Sequence, residues 1–152
     1  MSVQTTYTAA IPKAYPGLQA DNNPVQSVSL IAEATVIPFG RAVQQGTNDD
    51  QALIGTGTTV YRGITMRMHN QENVSAGVES AQYPDEDLMA VMEKGAIFVD
   101  LINTGAKDAL IYSVDADGTI GAGTAGAGQT QITGARLAET IAAAGIAKII
   151  LE

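Results

Sequence analysis

Few residues in this sequence carry side chains suited to chemistry. They are a single histidine, His69, the acidic run Asp85-Glu86-Asp87, the segment Asp115-Ala116-Asp117-Gly118, and a glycine-rich stretch from Gly121 to Gly128. His69 could act as a base or a metal ligand, but either role needs partners at defined positions. Its neighbours Met68, Asn70 and Gln71 form no motif, so an exposed loop position is expected. The three acids could supply paired carboxylates, although runs of like charge are usually solvated faces. Aligning Gly118 with the invariant glycine of a calcium loop puts Ser113 first and Thr124 last, where Asp and Glu are required, so a plain turn is expected. Gly121-Ala122-Gly123-Thr124-Ala125-Gly126 matches G-x-G-x-x-G. That motif works only where a helix starts within it and meets a pyrophosphate, and Gly126 and Gly128 would weaken such a helix. No lysine follows the glycines as in a P-loop, and a flexible surface loop is expected. No catalytic residue, cofactor site or metal site is expected.

The elements that would position any site are short and β-like. The 152 residues include 45% hydrophobic side chains, enough to fold as one domain with a sizeable core. Only 5% are aromatic, there is no Trp, and Gly occurs 16 times, which suits a compact sheet protein with many tight turns. Apolar runs at Ser29–Ile37, Arg41–Val43, Gln51–Ile54 and Thr58–Met68 alternate with turn signals such as Gly46-Thr47-Asn48-Asp49-Asp50. Residues 69–82 are polar and read as a long loop. Leu88–Met92 and Ala96–Ile102 read as paired strands joined by a Glu93-Lys94-Gly95 turn, and Leu110–Val114 and Thr119-Ile120 as a second hairpin. This spacing predicts a compact β-barrel or β-sandwich. Two segments carry helix signals instead. Pro84-Asp85-Glu86-Asp87 places acids before Leu88–Met92. Ala135–Ala144 is alanine-rich and ends at Gly145. Their state, strand or helix, stays open at this point.

Residues 1–27 differ from residues 28–152. Pro12, Pro16 and Pro24 lie among small polar residues, which predicts an extended N-terminal arm outside the sheets. The arm nevertheless carries Tyr7, Ile11, Tyr15 and Leu18, anchors a solvated tail would not need. Tyr7, Ile11, Pro12, Tyr15, Pro16 and Leu18 are therefore the candidate contacts with a partner surface or a neighbouring subunit.

Charge and composition exclude several classes of function. Eight basic against 16 acidic residues give a formal net charge of −8, and the basic residues never cluster. No nucleic-acid partner and no anionic membrane surface are expected. There is no cysteine, hence no disulfide framework or thiolate site. No apolar run reaches 18 residues, and Met1–Thr6 lacks the basic and apolar regions of a signal peptide, which predicts synthesis in the cytoplasm without export by that route.

Ile37-Pro38-Phe39-Gly40-Arg41-Ala42-Val43, following a polar arm and an apolar strand, resembles the hallmark of the structural cement proteins of tailed bacteriophages. The arm start Gln4-Thr5-Thr6-Tyr7, the pair Ala20-Asp21, Tyr61-Arg62-Gly63-Ile64 and Glu93-Lys94-Gly95-Ala96-Ile97-Phe98-Val99 are similar to that family in order and spacing. So is the stretch from Gly134-Ala135-Arg136-Leu137 to Leu151. The resemblance implies a non-enzymatic decoration protein on the outer capsid surface of a virion, made in the host cytoplasm. It implies the major capsid protein and further copies of this chain, as a homotrimer, for partners. A carbohydrate-binding or adhesin module is the alternative, weakened by the scarcity of aromatic residues.

Overall fold

The computed structural model describes residues 14–21, 24–57, 59–68, 73–75, 78–80 and 82–152. His69 lies outside the described residues, as do Tyr7, Ile11 and Pro12. Among the described residues every regular element is a strand. These are β1 (Gln26–Ala32), β2 (Ile37–Pro38), β3 (Ala42–Gln45), β4 (Gln51–Ile54), β5 (Tyr61–Thr65), β6 (Asn73–Ser75) and β7 (Val78–Ser80). They continue as β8 (Gln82–Tyr83), β9 (Leu88–Leu101), β10 (Leu110–Val114), β11 (Ile120–Ala122), β12 (Gln129–Leu137) and β13 (Gly145–Leu151).

The pairings close twice. β1, β4, β3, β5 and β9 form one five-stranded barrel, because β9 pairs with both β5 and β1. β9, β11, β10, β12 and β13 close a second ring, because β9 also pairs with β13. The two rings share β9, which pairs with β1 and β5 through Leu88–Met92 and with β13 through Gly95–Leu101. Each ring has its own apolar filling. Leu30, Ala32, Val43, Met89 and Val91 fill the first, and Ile97, Val99, Leu101, Ile111, Ile132, Leu137 and Ile149 the second. Ala42, Ile64 and Met92 come from first-ring strands yet pack with the second cluster, so the two fillings meet there.

The Glu93-Lys94-Gly95 segment is thus no turn. It lies inside one 14-residue strand, which corrects the hairpin expected from its composition. What looked like turn chemistry is bend chemistry. Glu93 is an extra residue between the pairs Gln26↔Lys94 and Ser27↔Met92, a bulge, and Gly95 has φ of +130°. The bend is sharp. Hydrogen bonds link Ala90 to Met66, Arg67 to Gly17, and Gly17 to Phe98. That path leaves Ala90 and Phe98 no more than about 16 Å apart, whereas straight strand would put them about 26 Å apart. The two rings are therefore folded toward each other about Gly95.

Neither segment with helix signals is helical: Pro84–Asp87 is a turn leading into β9, and Ala135–Leu137 end β12. Glu86 has φ of +63°, which interrupts any helix, and Met89, Val91 and Met92 are buried along β9. Ala135 and Leu137 alternate with Arg136 and pair with Leu151, Ile150 and Ile149. Tertiary pairing overrides the alanine propensity there, and Ala142–Ala144 form an exposed bend. The expected long loop contains the paired strands β6 and β7. Both smaller hairpins fall where turn residues predict them: β3–β4 flanks Gly46–Asp50, and β10–β11 flanks Asp115–Gly118.

The bend gives a direct test. Gly95→Ala forces a side chain into a left-handed backbone and against Val25 Cγ2 at 3.0 Å. We expect a loss of about 1–3 kcal/mol, read as a lower denaturation midpoint with an unchanged m-value.

Candidate interaction surface

The described part of the arm begins with a tight turn. Tyr15-Pro16-Gly17-Leu18 closes through Leu18 N donating to Tyr15 O at 3.2 Å, and Gly17 has φ of +80°. Proline second and a positive-φ glycine third are the residues a type II turn demands. The Pro16-Gly17 pair is the sequence signal for this turn, which interrupts the extended arm that composition predicts.

After the turn the arm joins the sheet. Gly17 N donates to Phe98 O and Ala20 N to Ala96 O, both at 2.8 Å, and Phe98 N donates to Leu18 O at 2.9 Å. Gln19 and Ile97 form an antiparallel bridge. The arm thus occupies the stretch of the β9 edge between its pairing with β1, which ends at Lys94, and the start of β11. Composition had put these residues outside the sheets, but proline excludes only its own amide from a ladder, and no proline lies between Gly17 and Ala20. Lys148 Nζ meets Asp21 Oδ2 at 2.6 Å, fastening the arm to β13.

Gly17 also reaches the first ring, where its carbonyl accepts from Arg67 N at 2.7 Å. A Cβ at Gly17 would meet that same nitrogen at 2.8 Å and Phe39 Cβ at 3.0 Å. A Cβ at Gly40 would meet Gly17 N and Pro16 Cβ, each at 2.9 Å. The Pro16-Gly17 and Phe39-Gly40 turns therefore pack backbone to backbone, a fit only glycine allows. Above them the Arg67 guanidinium lies 4.7 Å from the Tyr15 ring centroid and 5.7 Å from that of Phe39. Phe39 in turn meets Tyr83 edge-on at 5.0 Å. Of the six candidate contacts, Tyr15 is 48% exposed, while Pro16 and Leu18 are half-buried in the tie. Tyr7, Ile11 and Pro12 lie outside the described residues. Gly17, Phe39, Gly40 and Arg67 belong to the tie as well, although residue type alone did not single them out for it.

A second tie joins the rings elsewhere. Thr56 N donates to Asp115 O at 3.2 Å, and the buried Thr56 and Ser113 hydroxyls lie 2.6 Å apart. Asp115 Oδ1 accepts from Thr56 and Thr130, and Asp117 Oδ1 from Thr119 N and Oγ1, so these acids serve the turn itself. Gly121 lies in β11 rather than a flexible loop, because the Tyr112 ring occupies the space a Cβ would need, as close as 2.2 Å. Asp87 Oδ1 accepts from Leu88 N at the start of β9. Among the described residues no cluster of His, Asp and Glu is arranged to hold a metal.

The outer end of the first ring is acidic. The Glu33 loop, the Thr47–Asp50 turn and the Pro84–Asp87 turn adjoin through Ile31 N to Asp50 O, Ala32 N to Asp87 O and Thr47 N to Glu33 Oε2. Exposed apolar side chains stand at Val36 and Leu88 on this ring and at Ile102 and Leu110 on the second.

Residues 3–152 match the family described as "Structural cement protein (E217 gp24/Pam3 gp6)". The chain belongs to the phage structural cement family. The family is structural, and this cement protein is a capsid-stabilising component of a bacteriophage. Among solved structures, a chain in "The capsid of Myoviridae Phage XM1" aligns over 100% of this chain and 98% of its own, with a TM-score of 0.76 and 14% identity. At that identity the likeness speaks to the fold. The head fiber gp8.5 N base of bacteriophage phi29 aligns over 85% of this chain and 95% of its own at a TM-score of 0.46 and 14% identity, too distant to bear on the argument. No curated protein matches the cement protein.

Two outcomes test this surface. Gly17→Ala should open the tie and speed proteolytic cleavage near the arm, while the near-ultraviolet signal of the rings persists. Separately, the Thr47 hydroxyl and amide hold the Glu33 carboxyl below its usual range. A lowered folded-state value means the contact stabilises fully above the unfolded value of about 4.3 and is lost as pH falls through the folded value. Carboxyl NMR titration should find Glu33 low in the wild type and restored upward in Thr47→Val.

Proposed function

We propose that the cement protein sits on the outer face of the shell as a homotrimer, with its arm contacting the major capsid protein. The observation that supports this reading most is the tie at Gly17. It fixes the point from which the preceding residues depart, so that an arm of largely uncharged residues can be aimed rather than left to wander. Ordering such a segment on binding lets a small domain cover a wide surface.

Stabilisation follows by linkage. A protein that binds the assembled shell better than separated capsid subunits shifts the equilibrium toward the shell. Repetition over a lattice multiplies a modest affinity, since each copy bridging two capsomers makes its second contact at high effective concentration. Synthesis in the host cytoplasm, where shells assemble, fits this role. Nothing in the role calls for a nucleic acid, a membrane or a bound cofactor.

Light scattering should return the mass of a trimer for the purified protein. Sedimentation should carry the protein down with preformed shells and leave it in the supernatant with unassembled capsid protein. Deleting residues 2–13 spares the Gly17 tie and should leave the denaturation midpoint in place while weakening shell attachment at least tenfold. Undiminished attachment of that truncation would remove the arm from the reading. A monomer that ignores shells would overturn the reading as a whole.

A further inference from the structure

Three loops meet at the outer end of the first ring. Glu86 N donates to Ala32 O and Ala32 N to Asp87 O, both at 2.9 Å, so the Pro84–Asp87 turn lies against the end of β1. The pairing of Ile37 with Tyr83 carries the same turn alongside Val36. Ile31 N, bonded to Asp50 O at 2.8 Å, brings in the Gly46–Asp50 turn. Leu88 and Ile31 are cross-strand partners. Both alternate with residues that fill the ring, so they stand on its outer face. Leu88 is 56% exposed and Val36 44%, and Ile31 is half-buried beside Leu88.

Acids rim this apolar patch without compensation. Glu33, Asp49, Asp50, Asp85, Glu86 and Asp87 come from the three loops, and no base lies in residues 33–36, 46–50 or 84–87. Among the described residues, no side-chain hydrogen bond or ion pair holds Asp49, Asp50, Asp85 or Glu86. By contrast Asp108 and Glu152 are paired with Arg136, and Asp21 with Lys148. An apolar centre inside a charged rim is the anatomy of a protein-binding surface. Nor does the patch stand apart from the arm. Leu88 lies two residues along β9 from Ala90, whose carbonyl accepts from Met66 N, and the next amide, that of Arg67, is bonded to Gly17 O.

We propose that Ile31, Val36 and Leu88 dock on a lysine- and arginine-bearing surface of the shell, with the surrounding acids selecting that charge. The rim decides the occupant. A nucleic acid or an anionic lipid would be repelled by carboxylates gathered at one end. A second copy of this chain would be repelled likewise, since its net charge is −8 and its basic residues form no cluster to match the rim. A basic protein surface gains on both counts, covering the apolar side chains while its charges meet the rim. Because the root of the arm adjoins the patch, the two make one continuous footprint, with the arm reaching outward from a docked end. The inference rests on the shell attachment proposed above and supplies a contact beyond the arm.

Co-sedimentation of the full-length protein with preformed shells, from about 0.05 to about 0.5 M salt, tests it. The rim variant Asp50→Asn/Asp85→Asn/Glu86→Gln should lower the affinity about tenfold at low salt and flatten its salt dependence. Asp100→Asn/Asp108→Asn/Glu152→Gln removes as many exposed charges from the second ring and should stay within about twofold of wild type. Leu88→Ser should weaken attachment at every salt concentration and keep the salt dependence. Denaturation midpoints check that each variant folds. Equal losses in the rim and second-ring variants would mean that net charge alone matters, and would overturn the proposal. Wild-type attachment by both the rim variant and Leu88→Ser would overturn it too. So would a rim variant whose mass in light scattering differs from that of the wild type, since a second copy would then be the occupant of the patch. In each of these cases the wild type still sediments with shells and the attachment reading stands; a wild type that ignores shells would sink both.

Discussion

Everything in this cement protein hangs on one strand serving two barrels. β9 supplies a wall to each ring, and neither ring closes without it. A five-stranded barrel of such short strands encloses little apolar volume, and a domain with a small core is only marginally stable. Sharing a wall lets the two fillings meet around Met92, Ala42 and Ile64, so that together they behave more like one core than two. The cost of sharing is a strand that must turn from one ring axis to another. The Glu93 bulge and Gly95 meet that demand within three residues.

With the rings folded about Gly95, the space between them has to be closed, and backbone contacts close it together with the side chains of Met92, Ala42, Ile64, Thr56 and Ser113. Gly17 bonds to both rings through its own amide and carbonyl, and Gly55 approaches Asp115 so closely that a Cβ would lie 2.2 Å from its carbonyl oxygen. Gly118 meets the Ala42 carbonyl at 2.3 Å by the same measure. Gly17, Gly40, Gly55 and Gly118 thus serve places where two surfaces meet backbone to backbone, and the Arg67 guanidinium between Tyr15 and Phe39 covers the outside of one such contact.

Much of this was legible in the sequence, for identifiable reasons. The Gly46–Asp50 and Asp115–Gly118 turns announce their hairpins because turn residues act locally. The β class follows from short apolar runs between such turns, and the family from the order of Ile37–Val43, Tyr61–Ile64 and Glu93–Val99. Glu93-Lys94-Gly95 misled because a bulge and a turn ask for the same residues, and only the partners on either side decide between them. Ala135–Ala144 misled because alanine's helix preference is worth only tenths of a kcal/mol per residue against most alternatives, less than the pairing of Ala135–Leu137 with β13. The docking of Gly17–Ala20 on β9 is a contact across more than seventy residues, and no local pattern encodes it. Tyr7, Ile11 and Pro12 lie outside the described residues, and their contact with a partner belongs to the proposal.

The shared strand also decides how the molecule would respond to being pulled. If one ring is held by one capsomer and the other by its neighbour, separation of the capsomers puts β9 under tension along its length. Antiparallel hydrogen bonds lie across the strand, so lengthwise sliding out of either ring must break the bonds of β9 to its antiparallel neighbours in that ring together rather than one after another. The bent strand can first straighten a little at Gly95 and take up small displacements before that limit is reached. A single covalent chain would then carry the load between capsomers, elastic at the bend and stiff in both rings.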